Sequence, residues 1–335
     1  MRRPPAFWWQ TPPSLLARLL QPLATVYSAI TLRRMLRPGV SVSCPVICVG
    51  NFTGGGAGKT PTALLLARLL IDRGARPVFL SRGYGGTLRF ATQVDPAIHT
   101  AADTGDEPLL LARVAPTIVS RDRVAGADKA RQIGADVIIM DDGMQNPDIQ
   151  KTLTLAVIDG QSGFGNGLAH PAGPLRADAT LQAARVTAVI LIGSGSAGQR
   201  AADLTGLPQI RGGLVASPSV AARLHGQRVL AMAGIGLPDK FLATLHGCGA
   251  VVVARHIVAD HAPYSVSELE EVAARAKRLD AVVATTAKDR VRIGQSLPAV
   301  LADRLVVVDV DLVLDDGLER LASLLDGCIN ASSVD

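Results

Sequence analysis

The residues Gly50-Asn51-Phe52-Thr53-Gly54-Gly55-Gly56-Ala57-Gly58-Lys59-Thr60-Pro61 have the composition of a phosphate cradle. Glycines let successive backbone N–H groups turn inward toward phosphate oxygens, and a helix N-terminus adds partial positive charge. Lys59 is then placed to reach β- and γ-phosphates, and the Thr60 hydroxyl to ligate Mg²⁺. The strict pattern G-x-x-x-x-G-K-[ST] begins with Gly, where this chain has Thr53. A flexible glycine-rich turn beside a lysine is the bland alternative. The apolar run 45–49 before the loop and the helix-like segment 63–71 after it favour the cradle, drawn from Thr53, Gly54, Gly55, Gly56, Ala57, Gly58, Lys59 and Thr60.

Acidic residues follow in two places. Asp141-Asp142 ends the apolar run 136–140 and has the form of a Walker B site, where a carboxylate holds Mg²⁺ directly or through water. A turn with helix capping is the alternative. Asp106-Glu107 opens a helix, so capping is again the simple explanation. In a phosphoryl-transfer enzyme one carboxylate would orient or deprotonate an acceptor hydroxyl and the other assist the metal. Of six histidines, His261 in Asp260-His261-Ala262-Pro263-Tyr264 is the most suggestive. Local sequence alone still favours a structural histidine.

Some patterns mislead. Gly193-Ser194-Gly195-Ser196-Ala197-Gly198 matches G-x-G-x-x-G, but no Asp or Glu occurs between Asp203 and Asp239 to bind a ribose. The segment reads as linker. Thr286-Ala287-Lys288-Asp289 lacks the spacer of guanine-binding Asn/Thr-Lys-x-Asp, so ATP is the expected nucleotide. Asn51-Phe52-Thr53 is a formal glycosylation sequon without meaning inside a phosphate loop.

Short apolar runs alternate with helical segments, which implies a mostly parallel, doubly wound α/β sheet of the P-loop type. Ligands collect at the C-terminal ends of such strands, where 50–60, 81–86, 141–145 and 159–176 lie. A Gly/Ala/Ser/Pro-rich stretch, roughly 193–219, precedes a second, smaller α/β lobe. The expected division is 1–38, an N-terminal interfacial helix; 39–222, the nucleotide-binding lobe; and 223–335, the smaller lobe. With 335 residues, 48% apolar and only 3% aromatic, the chain is globular rather than disordered. Its four cysteines show no metal spacing and imply a reducing compartment. A net charge of +5, spread along the chain, suits anionic small molecules or a membrane surface better than nucleic acid.

The first 37 residues differ in character. Trp8-Trp9 precede a helical segment whose uncharged stretch, Leu19 to Leu32, is bracketed by Arg18, Arg33, Arg34 and Arg37. A spanning helix needs about 20 apolar residues, more than this stretch offers. The pattern predicts a helix lying in the membrane interface; an amphipathic helix packed on the domain is the alternative. Arg18 and Pro22 argue against a signal peptide.

Taken together, these segments resemble the tetraacyldisaccharide 4′-kinase family, the lipid A 4′-kinases of Gram-negative bacteria. The matching pieces run in family order from about residue 5 to 315: 49–61, 81–86, 105–108, 141–145, 163–176, 234–236, 260–264 and 285–289. Gly165-Asn166-Gly167 followed by Pro171-Ala172-Gly173-Pro174-Leu175-Arg176 is far more specific than the phosphate loop. The resemblance implies transfer of the ATP γ-phosphate to the 4′-hydroxyl of a tetraacylated glucosamine disaccharide 1-phosphate. It also implies Mg²⁺, a peripheral location on the cytoplasmic face of the inner membrane, and no obligatory protein partner. A small hydroxyl residue is usual in the family where Thr53 stands.

By the same resemblance Asp106 is the catalytic carboxylate and His261 its partner. Glu107, Thr60, Asp141 and Asp142 belong to the metal region, and Arg176 lies near the transferred phosphate. Asn146 replaces a common family histidine and Ala177 a common acidic residue, so roles at those positions do not carry over. Two rival readings are a membrane-associated nucleotide switch or metallochaperone-type ATPase, and a soluble P-loop ligase. The first would offer a Cys-x-x-Cys or His-rich metal cluster, which this sequence lacks.

Overall fold

Apolar runs make the strands, and glycine-rich or acidic turns end them at one edge of the sheet. The computed structural model describes residues 4–330. A 3-10 turn at Ala6–Trp9 leads into α1 (Leu15–Met35), β1 (Val46–Asn51) and α2 (Lys59–Ile71). Next come β2 (Pro77–Ser81), β3 (Thr92–Gln93), α3 (Ala101–Thr104), α4 (Asp106–Leu111), β4 (Thr117–Val119) and α5 (Arg123–Gln132). They are followed by β5 (Val137–Asp141), β6 (Leu153–Asp159), α6 (Ala179–Ala183), β7 (Ala188–Ile192), α7 (Ser196–Thr205) and β8 (Gln209–Ala216).

The second lobe comprises α8 (Pro218–Leu224), β9 (Arg228–Ala233), α9 (Pro238–Gly247), β10 (Val251–Ile257) and α10 (Val266–Arg278). It continues with β11 (Val282–Thr286), α11 (Ala287–Ile293), α12 (Ala299–Ala302) and β12 (Leu305–Val308). The described chain closes with β13 (Val310–Asp316) and α13 (Leu318–Asn330).

Nine strands form one sheet in the order β13-β8-β7-β6-β1-β5-β2-β4-β3, parallel except for the edge strands β13 and β3. Four more form a parallel sheet, β10-β9-β11-β12. The central strands β1, β5 and β6 are buried on both faces. Alternate residues therefore feed two cores, as a covered parallel sheet requires. Cys48, Ile138, Met140 and Ile158 line one; Ile47, Val49, Ile139 and Leu155 line the other, against Leu66 and Leu70 of α2. Truncating Leu66 or Leu70 to Ala would cost about 2–5 kcal/mol, because neither side chain touches solvent.

Two expectations from the sequence need correction. The stretch 193–219 is not linker: it forms α7 and β8, both parts of the large sheet's architecture. Its glycines permit close approach, since a Cβ on Gly198 would lie 2.4 Å from Gly160 Cα. Second, the chain does not stay in the smaller lobe after residue 223. β13 pairs antiparallel with β8, beginning at Val310 opposite Ala216, and Leu321 and Leu325 of α13 are buried in the large sheet's core. The second correction has a topological cause: β13, the edge strand, pairs with β8, which is distant from it in sequence.

α1 is capped by Ser14, whose hydroxyl accepts the Ala17 N–H at 3.2 Å. Ala17, Ala24 and Met35 are buried, while Leu15, Leu16, Leu19, Leu23, Val26 and Ile30 are exposed. At 21 residues α1 meets the length of a membrane span, yet Pro22 lies within it.

Candidate active site

The cradle is built by β1 handing over to α2. Gly58 caps the helix at φ 102°, a left-handed conformation that admits glycine readily, and a Cβ there would meet Ile192 Cδ1 at 2.6 Å. A Cβ on Gly54, Gly55 or Gly56 would meet nothing within 4 Å, so this stretch of the loop is open. The opposite wall is stitched on by the 174–176 segment. Gly54 N–H donates to Pro174 O at 2.9 Å, and Arg176 N–H to Phe52 O at 2.8 Å.

Three basic and acidic groups meet beneath the loop. Lys59 Nζ stands 3.7 Å from Asp142 Oδ1. Arg176 donates from Nη2 to Asp142 Oδ2 at 3.0 Å, from Nη1 to Gln145 Oε1 at 3.0 Å, and from Nε to Thr53 O at 3.2 Å. Gln145 in turn donates to Asn51 O at 2.9 Å, fixing the fork. Burial works against an ionised Asp142, but Lys59 and Arg176 hold its carboxyl well below the usual carboxylate range. Its side chain retains 36% of its surface, so solvent screens this charge more than that of its neighbour. Thr60 is buried in the first turn of α2.

Asp141, at the end of β5, is 2% exposed. Burial first, then the charges of Glu107 and Asp142, push its pKa up to about 7, against the pull of Lys59 and Lys288. Lys59 opens α2 and Glu107 lies in the first turn of α4, which packs against α2. Asn51 Oδ1, Asp141 Oδ1 and Asp142 Oδ1 are buried without a hydrogen-bond partner among the described residues. Orphaned oxygens of this kind suit a hard cation. Among the described residues no three His, Cys, Asp or Glu side chains form a ready-made cage. Mg²⁺ takes one or two carboxylates and completes its shell from phosphates and water. The residues present therefore fit the ion.

α4 faces the smaller lobe. Gly105, at φ 86°, turns the chain so that Asp106 enters buried, 4% exposed. Asp106 Oδ2 is 3.3 Å from His261 Nδ1 and 2.8 Å from Arg292 Nη2, and Oδ1 accepts the Glu107 N–H at 3.0 Å. Burial opposes the Asp106 charge, yet His261, Lys288 and Arg292 together hold its carboxyl far below the ordinary range. The bond to Asp106 raises His261 in return. His261 adopts φ 60°, donates its N–H to Gly234 O at 3.2 Å, and packs its ring 5.7 Å from that of Tyr84. Lys288 Nζ pairs with Glu107 Oε1 at 2.5 Å. A further bridge between lobes joins Lys240 of α9 to Asp159 at the end of β6.

Lys59, Asp142 and Arg176 are in contact, with Asp141 next to Asp142 in the chain; Asp106 and His261 are in contact, with Glu107 next to Asp106; and α2 packs against α4. Lys288, Arg292 and Gln145 were not singled out in the sequence. Asn146 donates to Asp148 Oδ2 at 2.7 Å within its own turn, and Ala177 is fully buried.

The chain has recognised relatives. The family model described as Tetraacyldisaccharide-1-P 4'-kinase matches residues 16–329. A tetraacyldisaccharide 4'-kinase of Methylobacterium sp. (strain 4-46) is 52% identical over 331 residues, 97% of this chain and 98% of the relative. Its namesake from Rhodopseudomonas palustris (strain TIE-1) is 48% identical over 97% of this chain and 96% of its own length. The crystal structure of LpxK from Aquifex aeolicus in complex with ATP superposes with a TM-score of 0.72, covering 94% of this chain and all of that one. At 22% identity it speaks for the fold. By a family match spanning nearly its whole length and by two relatives near half identity, this chain belongs to the tetraacyldisaccharide-1-phosphate 4′-kinase family.

Proposed function

We propose that this protein transfers the γ-phosphoryl group of ATP to the 4′-hydroxyl of a tetraacylated glucosamine disaccharide 1-phosphate, the lipid A precursor. The observation that carries the reading is the cluster of Lys59, Asp142 and Arg176 beneath the glycine loop, where buried Asp141 and Asp142 oxygens have no hydrogen-bond partner among the described residues. Phosphoryl transfer asks mainly for alignment and charge compensation, since its transition state is loose.

In this reading the backbone N–H groups of 54–60 and Lys59 receive the β- and γ-phosphates, and Arg176 compensates charge on the transferring group. One or two of Asp142, Asp141 and Glu107, with Thr60, would hold Mg²⁺, which when bound neutralises phosphate charge. Asp106 accepts the hydrogen bond of the acceptor hydroxyl and takes its proton late. His261, bonded to the same carboxylate, keeps it in place and charged. Because Asp106 and His261 belong to different lobes, lobe closure assembles the site and expels water. The three-part division is retained in revised form: an interfacial helix, a nucleotide lobe that includes 310–330, and a smaller lobe inserted between β8 and β13.

The exposed leucines of α1 favour a peripheral seat on the cytoplasmic face of the inner membrane, acyl chains beside the helix. The test is incubation with γ-labelled ATP and a lipid disaccharide extract. Label in the lipid supports the kinase; label released only as free phosphate supports a nucleotide switch. Asp106→Ala should lower turnover by about 10²- to 10⁴-fold with nucleotide binding nearly intact, and near-normal turnover would remove Asp106 from its role.

A further inference from the structure

Arg292 belongs to no phosphate-binding motif, yet it ties the smaller lobe directly to Asp106. Only 7% of its side-chain surface is exposed. Nη2 donates to Asp106 Oδ2 at 2.8 Å; Nη1 donates to Asp289 Oδ1 at 3.0 Å and to Gly234 O at 2.9 Å. The Gly234 carbonyl also accepts the backbone N–H of His261. Arg292 and His261 therefore start from one anchor and meet again on one carboxylate oxygen, closing a ring whose His261–Asp106 side is a 3.3 Å ion-pair contact.

The anchor is itself rigid. Asp289, without solvent exposure, accepts the Gly234 N–H at 2.9 Å and the Tyr264 hydroxyl at 3.0 Å on Oδ1, and the Thr286 hydroxyl at 2.6 Å on Oδ2. Such a network fixes geometry better than it adds stability, because burying ion pairs costs solvation that their attraction only partly offsets. Arg292 and His261 of the smaller lobe both face Asp106 Oδ2, whereas among the described residues Oδ1 takes the N–H of the adjacent Glu107 and keeps a lone pair.

We propose that Arg292 is a positioning residue for phosphoryl transfer: with His261 it pins Asp106 Oδ2 to the smaller lobe and so aims Oδ1 at the acceptor hydroxyl. The inference rests on the reading of Asp106 as the group that receives that hydroxyl. A guanidinium suits the task because its planar fork serves Asp106 and the Gly234–Asp289 anchor at once, which an ammonium cannot do with fixed geometry.

Steady-state kinetics with ATP and the lipid acceptor test it on the full chain, using Arg292→Gln, Arg292→Lys, Asp106→Asn and the Arg292→Gln/Asp106→Asn double variant. Arg292→Gln should lose about 10- to 100-fold in kcat, with KM for ATP within about twofold. Arg292→Lys should recover part of that loss. In the Asp106→Asn background the Arg292 change should cost less than about threefold, since it acts through that carboxylate. An equal loss in both backgrounds overturns the proposal, as does normal turnover of Arg292→Gln. Should Arg292→Gln fail to fold by circular dichroism, Arg292→Lys provides the same comparison. An unimpaired Asp106→Asn removes Asp106 from the reaction and Arg292's role with it; an impaired Asp106→Asn beside an unimpaired Arg292→Gln removes only the latter.

Discussion

Lys288 of α11 and Glu107 of α4 form a 2.5 Å ion pair across the two lobes, 181 residues apart in the chain. Burial opposes the lysine's charge, but Glu107 and Asp106 raise its pKa above the ordinary value, so it stays charged beside a proposed metal ligand. A cation and Lys288 would therefore compete for Glu107. Lys288→Gln should lower the Mg²⁺ concentration giving half-maximal turnover by about three- to tenfold, the scale of one screened unit charge. A Mg²⁺ titration in which the midpoint stays put or rises contradicts the competition.

Arg176 serves three acceptors at once, Asp142, Gln145 and the Thr53 carbonyl. Lysine preserves the charge but not this fork. Arg176→Lys should therefore lower kcat almost as far as Arg176→Ala, by about 10²-fold in each case. Full activity of the lysine variant would show that charge alone suffices.

His261 gives the protein a pH signature. Its bond to Asp106 raises its pKa above 6.5, so the protonated ring favours the folded state. That contribution is complete below about pH 6.5 and is lost as pH climbs through the raised value. Between pH 6.5 and 8.5 the thermal midpoint of the wild type should fall more steeply than that of His261→Gln. Parallel curves for the two proteins would disprove the linkage.

The outer face of α1 carries Leu19 and Leu23, 69% and 62% exposed. Replacing both with Glu removes apolar surface and adds repulsion from anionic headgroups. Flotation with phosphatidylglycerol-containing vesicles should recover much less of the double variant, while its fold, read by circular dichroism, is unchanged. Equal recovery of both proteins would show that α1 is not the membrane contact.

The legible parts of the sequence were those whose chemistry is local. Loop 53–60 announces itself because glycines, Lys59 and Thr60 must be contiguous to wrap a phosphate. Asp141-Asp142 reads as a site because an apolar strand delivers it. Asp106 and His261 were ambiguous until the resemblance singled them out, since an acidic first turn and a lone histidine have ordinary explanations. Lys288 and Arg292 were missed for a physical reason. They lie four residues apart on one face of α11, and their partners Glu107 and Asp106 are adjacent in α4. Only tertiary packing brings those two faces together.

The linker reading of 193–219 failed because small residues serve two opposite purposes. Glycine and alanine give a tether its freedom, but here they let α7 settle onto the Gly160 turn, where any larger side chain would collide. Composition does not distinguish these cases. The return of β13 was hidden likewise, because Val310–Asp316 alternates like any short strand and carries no mark of which sheet it will join.

That return governs how the molecule can move. The smaller lobe leaves the large sheet after Ala216 and rejoins it at Val310, and these two residues face each other in the ladder. Two covalent straps bolted side by side act like the leaves of a door hinge: they allow swing about one axis and resist twist. In the proposed closure that swing would carry Lys288, Arg292 and His261 toward α4 together, so the smaller lobe would reach the nucleotide in one orientation.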